Sequence, residues 1–269
     1  MTALPQTECL TLTAKPGRLD IMFNRPETRN AINAVMSREL SETLDWLEQN
    51  PSTSLVTLFG ADGNFCAGGD IKERRETTIG HEGEEDPIEA RNMRAGETFL
   101  RFSKLRATTV ALVEGAAFGG GMGYACLADI TILVRGARLG MPETRLGIAP
   151  AQIAPWVVRR IGLSRALQLA LTGQRIDAQQ AYELGVGQYI CDTDDAQHTL
   201  EQVCSEVLAC GPGARAASKE IMMRMASSGS PEEMIRFAAR QFAELNRTGE
   251  GREGQAAFVE KRAPDWSKS

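Results

Sequence analysis

The sequence predicts an α/β core followed by a helical tail. Three observations carry this expectation. Short apolar runs of strand length alternate with helical patterns through residue 192. Two glycine-rich turns each stand between a strand and a helix. From residue 193 onward only helical periodicity remains. A chain of 269 residues is long enough for one large domain or a core with a smaller appendage. The expected division is 1–192 for the core and 193–269 for the helical region.

The elements follow in order. Residues 8–14 (ECLTLTA) and 19–24 (LDIMFN) read as strands, with KPGR between them as a turn. Residues 33–49 place Val35, Met36, Leu40, Leu44 and Leu47 at helical spacing. SLVTLFG, 54–60, is a short apolar strand, and 60–70 is a glycine-rich loop. Residues 73–97 are densely charged, with the stretch from His81 to Asp86 reading as mobile; a solvated surface loop and a substrate lid are both compatible with it. TTVALVEG, 108–115, is a buried strand, followed by a glycine-rich turn, a helix, and the strand 130–135. That order is a βαβ unit with parallel pairing. Residues 163–171 and 176–185 read as helices, the second capped by Asp177 and ended by Gly185. Residues 185–190 return as a strand, and helical patterns cover 194–209, 212–228, 231–247 and 252–262.

Composition closes several routes. Lys+Arg total 30 and Asp+Glu total 35, a net charge of −5, so no basic excess exists for nucleic acid or an acidic membrane surface. No window approaches the ~18 apolar residues of a membrane span, and no basic segment followed by an apolar run opens the chain. A cytoplasmic protein is expected, with neither nucleic acid nor membrane as partner. Cys9, Cys66, Cys126, Cys191, Cys204 and Cys210 form no C-x-x-C pair and read as free thiols. Two histidines, His81 and His198, are too few for a His-rich metal site, so no metal is expected. No G-x-S-x-G is present, which argues against a Ser-His-Asp hydrolase.

Three segments can carry chemistry. Gly119, Gly120 and Gly121 open a helix after a buried strand, leaving first-turn N–H groups free for an anion or oxyanion; close helix–strand packing explains the same glycines. The stretch from Phe65 through Cys66, Ala67, Gly68 and Gly69 to Asp70 is a second such turn. Two turns at the ends of parallel strands can aim one N–H each at a single oxygen. The third is Glu143, after Pro142 in an apolar setting, suited to proton transfer if buried. A helix-start Glu or a pair with Arg145 is the alternative.

These residues resemble the crotonase, or enoyl-CoA hydratase/isomerase, superfamily over nearly the whole chain. The resemblance rests on Asn24-Arg25-Pro26 with Asn30-Ala31, the run from Phe65 to Glu73, Gly115 to Gly121, Ala128-Asp129-Ile130, and Pro142-Glu143 with Leu146-Gly147. It extends to Leu171-Thr172-Gly173, Ala181, Leu184-Gly185-Val186, Phe258 and Lys261-Arg262. It implies a spiral of ββα repeats with a C-terminal helical trimerisation region, assembled as a homotrimer or a dimer of trimers. It implies an acyl-CoA substrate whose coenzyme A is part of the substrate, with no separate cofactor. By the same resemblance Gly69 and Gly120 N–H groups hold the thioester oxygen, and Glu143 is the catalytic glutamate. Arg29, Ala67, Phe258 and Lys261 are substrate contacts, the last two for a neighbouring subunit.

The second glutamate of typical hydratases is Gly123 here. Room for a branched acyl chain at Gly123 is one expectation; Glu73, Glu76 or Glu89 as a replacement carboxylate is another. Finer resemblance, in Met122-Gly123 and 140–159, is to methylglutaconyl-CoA and isohexenylglutaconyl-CoA hydratases of leucine and acyclic terpene breakdown. Their substrates carry a distal carboxylate, for which Lys72, Arg74 and Arg75 are candidate partners unless they form a plain surface helix face. A Δ3,Δ2-enoyl-CoA isomerase with Glu143 as its one base is the alternative enzyme. A non-catalytic coenzyme A-binding or RNA-associated relative is the alternative of another class.

Overall fold

The computed structural model describes residues 3–76, 86–226 and 230–268. Strands β1 (Leu10–Lys15) and β2 (Arg18–Phe23) form an antiparallel hairpin. They continue in parallel register through β3 (Leu55–Gly60), β4 (Thr108–Val113), β6 (Ile130–Val134) and β9 (Tyr189–Cys191) as a six-stranded sheet. A second, three-stranded sheet joins β5 (Ala116–Phe118), β7 (Arg138–Gly140) and β8 (Arg175–Asp177). Successive turns of the chain place one strand in each sheet, β4 then β5 and β6 then β7, which is the repeat of a crotonase-type spiral.

The helices are α1 (Ala34–Gln49), α2 (Ile71–Glu76), α3 (Pro87–Ser103) and α4 (Gly120–Leu127). They continue as α5 (Ala154–Ile161), α6 (Leu163–Thr172), α7 (Ala178–Leu184) and α8 (Ala196–Leu208). The last are α9 (Pro212–Met225), α10 (Pro231–Arg247) and α11 (Gly249–Glu260). Local chemistry explains their ends. Asn33 Oδ1 accepts the Met36 N–H at 2.9 Å and starts α1, which buries Met36, Leu40, Leu44 and Leu47. Asp177 and Gln180 form a reciprocal capping box on α7, and Gly185 ends it in the left-handed conformation.

The large sheet is covered on both faces, which is why β4 reads as a continuous apolar run. One face packs Leu19, Ile21, Phe23, Leu58 and Ala111 toward α1, α3 and α4. The other packs Leu55, Val110, Leu112, Ile132 and Val134 against Leu200, Val203 and Val207 of α8. Thus α8, on the tail side of residue 193, is part of the core. Further along, Lys219 binds Asp129 at 2.8 Å and the Ala107 carbonyl at 3.2 Å, holding α9 to the end of β4.

Several expectations are corrected. β5, β7 and β8 are three residues each, too short to show alternation, and were not anticipated. α5 was also unread: it follows the irregular turn around Pro150, carries Pro155 in its first turn and exposes part of its length. β9 lies at 189–191 rather than 185–190, because Gly185 terminates α7 and Val186 is buried in the turn that follows. His81 and the centre of the charged segment fall outside the described residues.

Candidate active site

The smaller sheet brings the glycine-rich loops together. Cys66 pairs with Ala117 and Ile32 with Gly69 through isolated parallel bridges, so the loop from Cys66 to Gly69 runs beside β5 as an extra, irregular strand. A Cβ on Gly68 would stand 2.8 Å from the Phe118 carbonyl oxygen, and one on Gly121 would stand 2.2 Å from that of Cys66. Side chains at either position would force the two loops apart, so glycine is required for the approach.

Two peptide planes are fixed within this arrangement. The Gly68 carbonyl accepts the Ile32 N–H at 2.7 Å. In a trans peptide the N–H of the next residue points the opposite way, so the Gly69 N–H is turned away from Ile32. The Gly119 carbonyl accepts the Gly123 N–H at 2.9 Å along α4, so the Gly120 N–H points out from the helix start. Among the described residues, neither Gly69 N–H nor Gly120 N–H donates within the chain. Two oriented donors of this kind suit an oxygen that gains negative charge.

Glu143 meets them from a third direction. It lies in the first turn of a 3₁₀ segment, Pro142–Leu146, that proline starts and Gly147 closes in the left-handed conformation. The neighbouring side chains anchor this segment to α6 and its end. Thr144 Oγ1 donates to the Ala170 carbonyl at 2.7 Å, and Arg145 Nε donates to that of Thr172 at 3.1 Å. Arg145 is therefore engaged with a backbone carbonyl, and Glu143 turns the other way. Its Oε1 lies 2.8 Å from where a Cβ on Gly119 would stand, and its Oε2 is buried. Gly119, at φ 52°, is thus the residue over which the carboxylate sits, one position before the Gly120 donor.

The frame around the loop from Cys66 to Asp70 explains the motif near residue 25. Arg25 donates to the Ala31 carbonyl at 2.6 Å and to Asp70 Oδ2 at 3.1 Å. Buried Asn30 donates to the Ala61 carbonyl at 3.0 Å and accepts from the Arg25 N–H at 2.9 Å. Burial alone would raise the Asp70 carboxyl, but the Arg25 guanidinium and the backbone N–H groups of Glu73 and Lys72 hold it below the usual carboxylate range.

The remaining sequence candidates are placed as follows. Arg29 is exposed, and its carbonyl accepts the N–H of Ala67 at 3.0 Å, so Arg29 borders the Cys66 to Gly69 loop in which Ala67 lies. Phe258 and Lys261 are exposed on and after α11, which packs on α10; this chain does not bring them to Glu143 through its described contacts. Glu73 accepts the Ala34 N–H with both oxygens and serves the start of α1, and Glu89 is exposed in the first turn of α3. Lys72 is exposed; the side chains of Arg74, Arg75 and Glu76 lie outside the described residues.

Gly123 requires a correction. It does not open an acyl space: a Cβ there would stand 2.6 Å from Ile153 Cγ2 and 3.1 Å from Phe99 Cζ. Ile153 and Phe99 are 5% and 4% exposed, so the position is filled from α3 and the start of α5. Gly123 allows this packing. Sequence reasoning missed Ile32, Phe99 and Ile153 because each acts through a segment distant in the chain.

Known proteins share this fold. The family model described as enoyl-CoA hydratase/isomerase matches residues 14–269. The solved structure of Pseudomonas aeruginosa AtuE is 41% identical, with a TM-score of 0.91 over 97% of this chain and 100% of that one. A putative enoyl-CoA hydratase of Thermus thermophilus is 32% identical over 92% of this chain and 97% of its own. The mevalonyl-coenzyme A hydratase sidH of Aspergillus fumigatus is 30% identical over 97% and 95%. With the spiral fold and the match along almost its full length, the chain belongs to the enoyl-CoA hydratase/isomerase family.

Proposed function

We propose that the protein is an enoyl-CoA hydratase acting on a branched glutaconyl-CoA-type thioester, of which 3-methylglutaconyl-CoA and isohexenylglutaconyl-CoA are the leading cases. The observation that carries this reading is the convergence of the Gly68–Gly69 loop, the Gly119–Gly120 turn and the Glu143 carboxylate. In this mechanism Glu143 accepts a proton from water as the water oxygen bonds to the β-carbon. The electron pair of the double bond moves toward the thioester, and the enolate oxygen is held by the Gly69 and Gly120 N–H groups. Glu143 then returns the proton to the α-carbon, so one water is added and the carboxylate is regenerated.

The branched substrate is supported by resemblance in Met122-Gly123 and 140–159, and by the name of the sidH relative, whose acyl group is itself branched. Coenzyme A enters as part of the substrate, bound beside Arg29 and Ala67. Phe258 and Lys261 complete a neighbour's site in a trimer or dimer of trimers. One observation favours a second reading. The surroundings of Gly123 are apolar, and proton transfer by one carboxylate suits a Δ3,Δ2-enoyl-CoA isomerase.

Incubating the protein separately with 3-methylglutaconyl-CoA and a 3-enoyl-CoA distinguishes these. Hydration lowers the absorbance of the conjugated thioester in the first. Isomerisation raises it in the second, and that result without hydration would replace the hydratase reading.

A further inference from the structure

We propose that Cys66 is a positioning residue of the oxyanion loop: its thiol takes the Gly68 N–H and leaves the next amide, Gly69 N–H, to meet the substrate. The inference rests on the reading of Gly69 as an oxyanion donor and adds how that donor is selected and aimed.

Cys66 is fully buried and fixed on every side. Its N–H donates to the Ala116 carbonyl at 2.8 Å, and its carbonyl accepts the Phe118 N–H at 3.0 Å. Gly121 packs directly on its backbone, where even a Cβ would collide. From this anchored residue Sγ accepts the Gly68 N–H at 3.4 Å. Gly68 sits at φ 95°, a conformation glycine adopts without strain, and its carbonyl takes the Ile32 N–H. Both polar groups of Gly68 are therefore engaged inside the protein, at two different partners. The peptide plane that follows is fixed at one end, and the first amide left over is that of Gly69.

A sulfur suits this place. It reaches across two residues as a soft acceptor, and desolvation pushes the thiol pKa up to about 12. It stays neutral at working pH, so it places no negative charge beside the oxygen that becomes an enolate. Without the sulfur, the Gly68 N–H is a buried donor lacking its acceptor, and the loop relieves this by rotating the adjacent peptides. Rotation turns the Gly69 N–H off the oxygen without removing any atom that touches coenzyme A.

The test uses Cys66→Ala and Cys66→Ser, read in two ways. The first is the apparent pKa of bound acetoacetyl-CoA, followed by the absorbance of its enolate, which reports the oxyanion donors without any hydration step. C66A raises that pKa by about one unit, a tenfold loss. The second is turnover: C66A lowers kcat about tenfold, a fraction of the ~10²–10³-fold cost of deleting a donor, while KM changes less than about twofold. C66S supplies a hydroxyl acceptor and returns both readouts to within about threefold of wild type. A folded C66A protein with wild-type values overturns the proposal. Equal impairment of C66A and C66S also overturns it, because a packing role is then sufficient.

Amide exchange in the unsubstituted protein tests the same claim should C66A fail to fold. Gly68 N–H is protected, and Gly69 N–H becomes protected only when acetoacetyl-CoA binds; the reverse order contradicts the proposal. If wild type binds acetoacetyl-CoA without lowering its pKa, the oxyanion reading fails and this proposal with it. If the pKa is lowered but no glutaconyl thioester is hydrated, only the substrate assignment fails, and the variants still decide the role of Cys66.

Discussion

Glu143, Gly119 and Gly123 show how different the roles of adjacent-looking residues are. A carboxylate after proline marked Glu143 as a candidate, with a plain helix-start Glu left open, and the family resemblance supplied its proposed catalytic role. Glycines between strand and helix marked the two turns, and the resemblance singled out Gly69 and Gly120 within them. Gly123 was legible only as an absence, and its physical meaning came from Ile153 and Phe99, whose contacts no local pattern encodes. That geometry sets a prediction. Gly123→Glu brings a side chain into backbone-distance conflict with Ile153 and places a carboxylate among apolar groups. Overpacking and burial of a charge together cost about 3 kcal/mol or more. Thermal unfolding should show a clearly lowered Tm, with activity lost on linear and branched enoyl thioesters alike. A stable variant with improved crotonyl-CoA turnover would mean that the wall over Gly123 yields readily.

At the scale of elements, the site is assembled by loops that borrow order from strands. The strands β5 and β7 are too brief to be read from alternation, yet they set the spacing of the Cys66–Gly69 loop, the start of α4 and the segment carrying Glu143. The longer strands and capped helices were readable because β4 carries the buried apolar run Val110 to Val113 and α1 and α7 carry side-chain caps. The clamp between Arg25 and Asp70 is a test of loop order. Its side chains are only 16% and 13% exposed, so solvent screens it little. Asp70 has a folded-state pKa below its unfolded value, so its stabilisation is complete above the unfolded carboxyl range. It is lost as pH falls through the depressed folded value. Asp70→Asn should cost about 1–2 kcal/mol at neutral pH. Urea unfolding of both proteins should show this difference shrinking below about pH 4. A difference that stays constant down to pH 2 would remove the ionised clamp from the account.

For the whole molecule, the helical region combines attachment and display. α8 covers one face of the sheet and Lys219 ties α9 to β4, while Met222, Ile235, Phe242, Phe258 and Val259 remain exposed. Among the described residues no helix is long and apolar enough to cross a membrane. Association of copies through this apolar surface fits the proposed trimer. Phe258, 85% exposed, is the residue proposed to serve coenzyme A of a neighbour. Phe258→Ala should raise KM for the thioester about tenfold with kcat within about threefold, since a remote binding contact is made equally in ground and transition states. An unchanged KM in a protein that sediments as a trimer would exclude Phe258 from that site. The central claim is that Glu143 alone moves the protons of hydration, and steady-state turnover of 3-methylglutaconyl-CoA by Glu143→Gln tests it most directly. The account predicts a kcat lower by ~10²–10⁴-fold with thioester binding retained, and a kcat within about threefold of wild type would contradict it.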